Sequence, residues 1–199
     1  ILNECASDTE YGKSCYKAQF ELIESLDKTR PRSFSSCRFK TDICFDLVDV
    51  VSYNIYPKWY HNTPVAEYLD DLYKWVQTTP GEGKPFLITE VGAGAIYGYR
   101  TSAKVKWSEE YQVQALEEQL NAILSYDDCS GVYIWQFCDV RVTNDWWNTR
   151  PRTMNNKGIV DEYRRPKLAY ETVKKIFSSV DTYSCLLYTS PSPRDRQKS

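Results

Sequence analysis

Apolar and polar positions along the chain alternate between two periods, and the switch between them predicts a succession of strands and helices. Tyr16, Phe20 and Ile23 recur at helical spacing within Ser14 to Asp27, before the breaker Thr29-Arg30-Pro31. A strand-like piece follows from Ser33 to Cys37, and Asp49 to Asn54 is a short β-branched run. Thr63 and Pro64 predict the start of a helix that carries Tyr68, Leu72 and Trp75 as far as Pro80-Gly81. Lys84 to Glu90 reads as the next strand. Ser108, with Glu109 and Glu110 behind it, caps a helix with the apolar face Leu116, Leu120, Ile123 and Leu124. Gly131 to Cys138 is a further strand, and Arg165-Pro166 introduces a last helix through Ile176. This order predicts an α/β fold with a parallel sheet and helices outside it.

Composition narrows the function classes. The chain has 199 residues, 15% of them aromatic, and a formal net charge of −2. Such aromatic content excludes a disordered chain, and the near-neutral balance argues against a nucleic-acid partner. No run of about 18 apolar residues exists, so no membrane span is expected. The chain opens at Ile1, without an initiator Met or a targeting segment.

The end of the chain reads differently from the rest. Cys185 to Ser199 is Ser/Pro-rich and resembles the read-through translation of a sequencing adapter. Residues 1–184 are therefore expected to be one partial catalytic domain, and residues 185–199 a non-native, disordered tail. The tail takes three basic and one acidic residue from totals of 25 and 27, leaving a net charge of −4. The six remaining cysteines (Cys5, Cys15, Cys37, Cys44, Cys129, Cys138) show no C-x-x-C pair. They are expected to be buried free thiols in a reducing, cytoplasmic compartment. With His61 as the single histidine, no metal site is expected.

Two glutamates stand where predicted strands end. Glu4 follows Asn3 at the start of the chain, and Glu90 closes the Phe86 strand just before Val91-Gly92. The 86 residues between them accommodate three βα units of about 29 residues, the repeat of a (β/α)₈ barrel. Two carboxyl groups facing each other across a barrel mouth suit glycoside hydrolysis. A strand-end glutamate is equally a common salt-bridge partner. Tyr53 to Tyr60 adds aromatics that suit stacking against sugar rings.

A set of ordered motifs carries a family resemblance. They are Asn3-Glu4-Cys5-Ala6-Ser7, Leu26 to Pro31, Asn54-Ile55-Tyr56-Pro57-Lys58-Trp59-Tyr60, and Ile88-Thr89-Glu90-Val91-Gly92. Trp107 to Gln112, Trp135 to Asp139 and Asn155-Asn156-Lys157-Gly158-Ile159 complete the series. The chain resembles the C-terminal part of the catalytic barrel of glycoside hydrolase family 2, most closely its β-glucuronidases, from Ile1 to about Phe177.

The resemblance implies an incomplete (β/α)₈ TIM-barrel fragment of a retaining enzyme acting on β-linked glucuronic acid. It implies Glu4 as general acid/base and Glu90 as nucleophile. Asn3, Asn54, Tyr56, Tyr60 and Trp135 would line the sugar site, and Asn155 and Lys157 would bind the C6 carboxylate. No metal or organic cofactor is implied, and the partner is a carbohydrate; the full-length protein is expected to be a homo-oligomer. Alternatives are a β-galacturonidase or β-galactosidase of the same family, or a non-catalytic carbohydrate-binding module. Arg150 and Arg152 lie near the Lys157 loop, and His61 is expected to be an exposed loop histidine. Cys5, Val91 and Gln136-Phe137-Cys138 depart from the commoner family pattern beside the functional groups. The chain alone is expected to be inactive and poorly soluble.

Overall fold

Four short parallel strands, in the order they occur in the chain, form the central sheet of the computed structural model, which describes residues 2–180. They are β1 (Ser35–Ser36), β2 (Val51–Asn54), β3 (Phe86–Val91) and β4 (Cys129–Ile134). Asn3 pairs in parallel with Ser35, so the chain from Leu2 to Glu4 runs beside β1 as one more strand position. Glu4 therefore lies three strand positions from Glu90, as the spacing predicts. The units between them are unequal. Helix α1 (Glu10–Leu26) follows Glu4, only a 3₁₀ turn (Phe45–Leu47) links β1 to β2, and α2 (Val65–Val76) links β2 to β3. Helix α3 (Glu109–Leu124) precedes β4, and α4 (Leu168–Ser178) packs on α3.

A small antiparallel pair, β5 (Val140–Arg141) with β6 (Met154–Asn155), brackets the loop that rises from the end of β4. The core lies between sheet and helices, where Tyr53, Phe86, Ile88, Leu69, Leu72, Leu116 and Leu120 are almost wholly excluded from water. All four residues of β2 are buried, as a strand covered on both faces requires.

Several boundaries move. Helix α1 starts earlier than Ser14, because the Thr9 hydroxyl caps it by accepting from the Gly12 amide at 3.0 Å. Thr63 is not a cap; Pro64 occupies that place and α2 begins without a side-chain cap bond. β4 stops at Ile134, and Leu124 is 38% exposed while Leu116, Leu120 and Ile123 are buried. The six cysteines among the described residues are free, yet of these only Cys44 is buried; Cys5, Cys15 and Cys37 are exposed, on loops and on the outer face of α1. The tail expected from Cys185 lies outside the described residues. Among the described residues no helix is long and apolar enough to cross a membrane.

Candidate active site

The strand ends converge on one cavity of about 470 Å³. Its lining includes Asn3, Glu4, Asn54, Tyr56, Tyr60, Glu90, Trp135, Asn155 and Lys157. All nine residues singled out from the sequence therefore meet in one place, although they span more than 150 positions of the chain. The placement follows from a parallel sheet, in which every strand delivers its C-terminal end to the same side.

A register irregularity aims Glu90. β2 and β3 pair Val51 with Phe86, Ser52 with Leu87 and Tyr53 with Ile88, and then Asn54 with Glu90. The extra residue breaks the alternation at the end of β3, so Thr89 and Glu90 both escape full burial. Gly92 follows at a point where a Cβ would meet the Trp135 carbonyl oxygen at 2.3 Å. Only glycine permits the ends of β3 and β4 to approach so closely.

Asn54 ties the two glutamates' strands together. Its Nδ2 donates to Asn3 Oδ1 at 2.8 Å and to Glu4 Oε1 at 3.0 Å, while its Oδ1 accepts from the Thr89 hydroxyl at 2.7 Å. Glu4 itself has a backbone φ of +54°, a left-handed conformation that glutamate rarely adopts. Its strand end is tied down from below, where buried Asp42 accepts from the hydroxyls of Ser7 and Ser36. On the facing side the Tyr56 hydroxyl donates to Glu90 Oε2 at 2.5 Å. Burial raises the Glu90 carboxyl above its ordinary pKa and the Glu4 charge adds to this, whereas Tyr56 and Lys157 act in the opposite direction.

Lys157 places a buried cation in the cavity wall. The residue is only 5% exposed, and its Nζ donates to the Tyr60 hydroxyl at 2.8 Å while lying 4.1 Å from the Tyr56 ring centroid. No carboxylate among the described residues lies within ion-pair distance of it. Burial lowers its pKa, opposed by the Tyr60 hydrogen bond. Arg150 also donates to the Tyr60 hydroxyl, at 3.2 Å, and lines the cavity. Burial acts to raise the Tyr60 phenol, but the two cations outweigh it and the net shift is downward. Arg152, by contrast, turns away and pairs with Glu162 at 2.5 Å.

The Lys157 loop rests on a buried polar scaffold. Lys167 Nζ, fully buried, donates to Asp139 Oδ1 at 2.8 Å and to the carbonyls of Ala95 and Asn156. Asp139 also accepts from the Gly158 amide at 2.9 Å. Gln112, from α3, donates to the carbonyls of Ala93 and Gly158, and Gln119 donates to that of Pro57. These side chains satisfy loop carbonyls that the sheet cannot pair.

Sequence reading missed part of the wall. Cys37, Tyr68, Val142 and Trp146 also line the cavity. Tyr68 sits on α2 and reads there as a core position, and nothing in the local pattern marks the others. His61 is not a free loop residue: it is half-buried, lines the cavity and stacks on Tyr68.

Comparison with known proteins agrees with this geometry. The family model for the TIM barrel domain of glycosyl hydrolases family 2 matches residues 1–182. A crystal structure of a GH2 β-galacturonidase from Eisenbergiella tayi bound to galacturonate is 72% identical, with a TM-score of 0.90 over 91% of this chain and 33% of that one. A β-D-glucuronidase structure for Dictyoglomus thermophilum is 26% identical, with a TM-score of 0.80 over 91% of this chain and 32% of that one. The curated β-glucuronidase of Rattus norvegicus is 32% identical over 181 residues, 85% of this chain and 26% of its own length. The chain thus spans about a quarter to a third of the relatives it matches. Strand-end glutamates, parallel sheet and family model agree: the chain belongs to glycosyl hydrolases family 2, within the TIM barrel domain.

Proposed function

We propose that the full-length protein is a retaining glycoside hydrolase that releases a β-linked hexuronic acid from its conjugates. The observation that carries this reading is Lys157, a buried ammonium without an acidic partner among the described residues, in the cavity that holds Glu4 and Glu90. A carboxylate on the substrate would complete its coordination with charge-assisted hydrogen bonds, and Asn155 lies beside it. A neutral hexose would leave the cation unpaired, which disfavours it.

In this reading the ionised Glu90 attacks the anomeric carbon and forms a glycosyl-enzyme. Glu4 gives its proton to the leaving oxygen, then takes one from the water that releases the sugar. The mechanism expects carboxyl groups about 5 to 5.5 Å apart. Tyr56 steadies the attacking carboxylate, and Asn54 orients Glu4 from the side. Asn3, Tyr60 and Trp135 complete the sugar pocket. Two carboxyl groups suffice for the chemistry, without metal or organic cofactor.

The 72% identity to a β-galacturonidase favours β-galacturonides as substrates. The glucuronide reading, to which the sequence motifs point, draws its support from the β-glucuronidases at 26–32% identity. Hydrolysis of aryl β-galacturonide, β-glucuronide and β-galactoside by the full-length protein tests both. A preference for the neutral galactoside that persists in Lys157→Ala would defeat the uronide reading. Undiminished turnover in Glu90→Gln would defeat the enzymatic role of that residue and favour a binding module.

A further inference from the structure

The sugar anchors leave one wall of the cavity unused. Cys37, His61 and Tyr68 line it. Cys37 stands just past β1, the strand next to Glu4, and the Glu4 charge acts on its thiol. Tyr68 comes from the first turn of α2. Its ring lies 4.7 Å from that of His61 with the planes 25° apart, and 4.8 Å from that of Phe39. The His61 backbone is held by the Lys58 amide, which donates to its carbonyl at 2.7 Å.

The three residues of this wall carry no fixed charge. Burial lowers the His61 pKa, so the ring is neutral around pH 7. The cations of the neighbouring loop are engaged elsewhere, Arg38 with Asp8 and Lys40 with Asp71. His61 Nδ1 is buried without a hydrogen-bond partner among the described residues, and the Tyr68 hydroxyl makes no hydrogen bond there either. A stacked aromatic pair, with the unused Tyr68 hydroxyl, therefore lines the cavity.

Substrate orientation decides what would meet it. With the uronate carboxylate at Lys157 and the anomeric carbon at Glu90, the leaving group departs on the Glu4 side, toward Cys37. We infer that the His61–Tyr68 pair, with Cys37 beside it, is the leaving-group subsite and that its occupant is a second pyranose ring. This rests on the proposed hydrolysis of β-hexuronides. The C–H face of a pyranose carries partial positive charge and meets the negative faces of aromatic rings. One of its hydroxyls would pair with the Tyr68 hydroxyl, which a plain aryl group would leave unpaired.

The test compares three β-hexuronides of the epimer that the full-length protein cleaves: methyl, phenyl and a hexuronosyl-hexose disaccharide. The readout is the ratio of kcat/KM for the disaccharide to that for the methyl glycoside. His61→Ala and Tyr68→Ala are each expected to lower this ratio about tenfold, and His61→Phe, which restores a ring face, to recover most of it. If an alanine variant does not fold, Tyr68→Phe replaces it, with an expected drop of about threefold from the lost hydroxyl. A disaccharide ratio within twofold of wild type overturns the subsite. So does a fall confined to the phenyl-to-methyl ratio, which would assign the wall to aryl leaving groups. Wild-type protein that cleaves none of the three defeats the proposed function instead.

Discussion

The Lys157 ammonium lies 2.8 Å from the Tyr60 hydroxyl and over the Tyr56 ring, and that same Tyr56 donates its proton to Glu90. One loop of β2 thus joins the group that would select the substrate's charge to the group that would attack its anomeric carbon. The coupling makes the two roles separable by mutation, because Lys157 acts through charge and Tyr56 through a single hydrogen bond.

Lys157→Met is expected to lower kcat/KM for aryl β-hexuronides at least about 100-fold, the effect of losing a buried charge-assisted contact of about 3 kcal/mol. Activity on the matching neutral β-galactoside is expected to fall far less, because that sugar never paired with the cation. Equal losses on both substrates would refute the assignment of Lys157 to the carboxylate.

Tyr56→Phe removes a donor that stabilises the ionised form of Glu90. The Glu90 pKa, already raised by burial, is expected to rise further. Since attack requires the carboxylate, the acidic limb of the kcat/KM profile should move to higher pH and the plateau rate should fall. A limb that stays in place or moves to lower pH would contradict the geometry.

Lys167→Met leaves Asp139 buried without its partner and is expected to cost about 3 to 5 kcal/mol. Burial holds Asp139 at about 6 even with Lys167 present. Its raised folded value means that its contribution to stability is full in acid and lost as pH rises through that value. Without Lys167 the value climbs further, so the deficit should be larger near pH 7.5 than near pH 5. Denaturant midpoints of the full-length protein at the two pH values check this, and a deficit that grows toward acid would reverse the sign.

The 199-residue chain by itself is expected to self-associate and to lack hydrolytic activity. β4 is an edge strand, and Tyr133 and Phe137 beside it are 62% and 51% exposed. Such an edge invites pairing between copies. Size-exclusion chromatography of the isolated chain would show large species; a stable, active monomer would overturn the expectation.

Much of this was legible along the chain. The helical spacing of Leu116, Leu120 and Ile123, the β-branched run into Asn54, and the Ser108 cap are local signals, and their elements occur where those signals lie. The motifs around Glu4, Glu90 and Lys157 were readable through the family resemblance that they carry together. Other features depend on neighbours distant in the chain. The stacking of His61 on Tyr68 requires α2 to fold back on the β2 loop, and the choice of Arg150 over Arg152 turns on the backbone path after β5. The exposure of Cys15 depends on which face α1 turns to the core. Sequence by itself determined the alternation of elements, which follows from periodicity, and through its family resemblance it marked the residues proposed for the chemistry. Tertiary structure alone decided which strand ends share a cavity, how Glu90 is aimed by a register irregularity, and which cation is left without a carboxylate, because these are set by packing across the sheet.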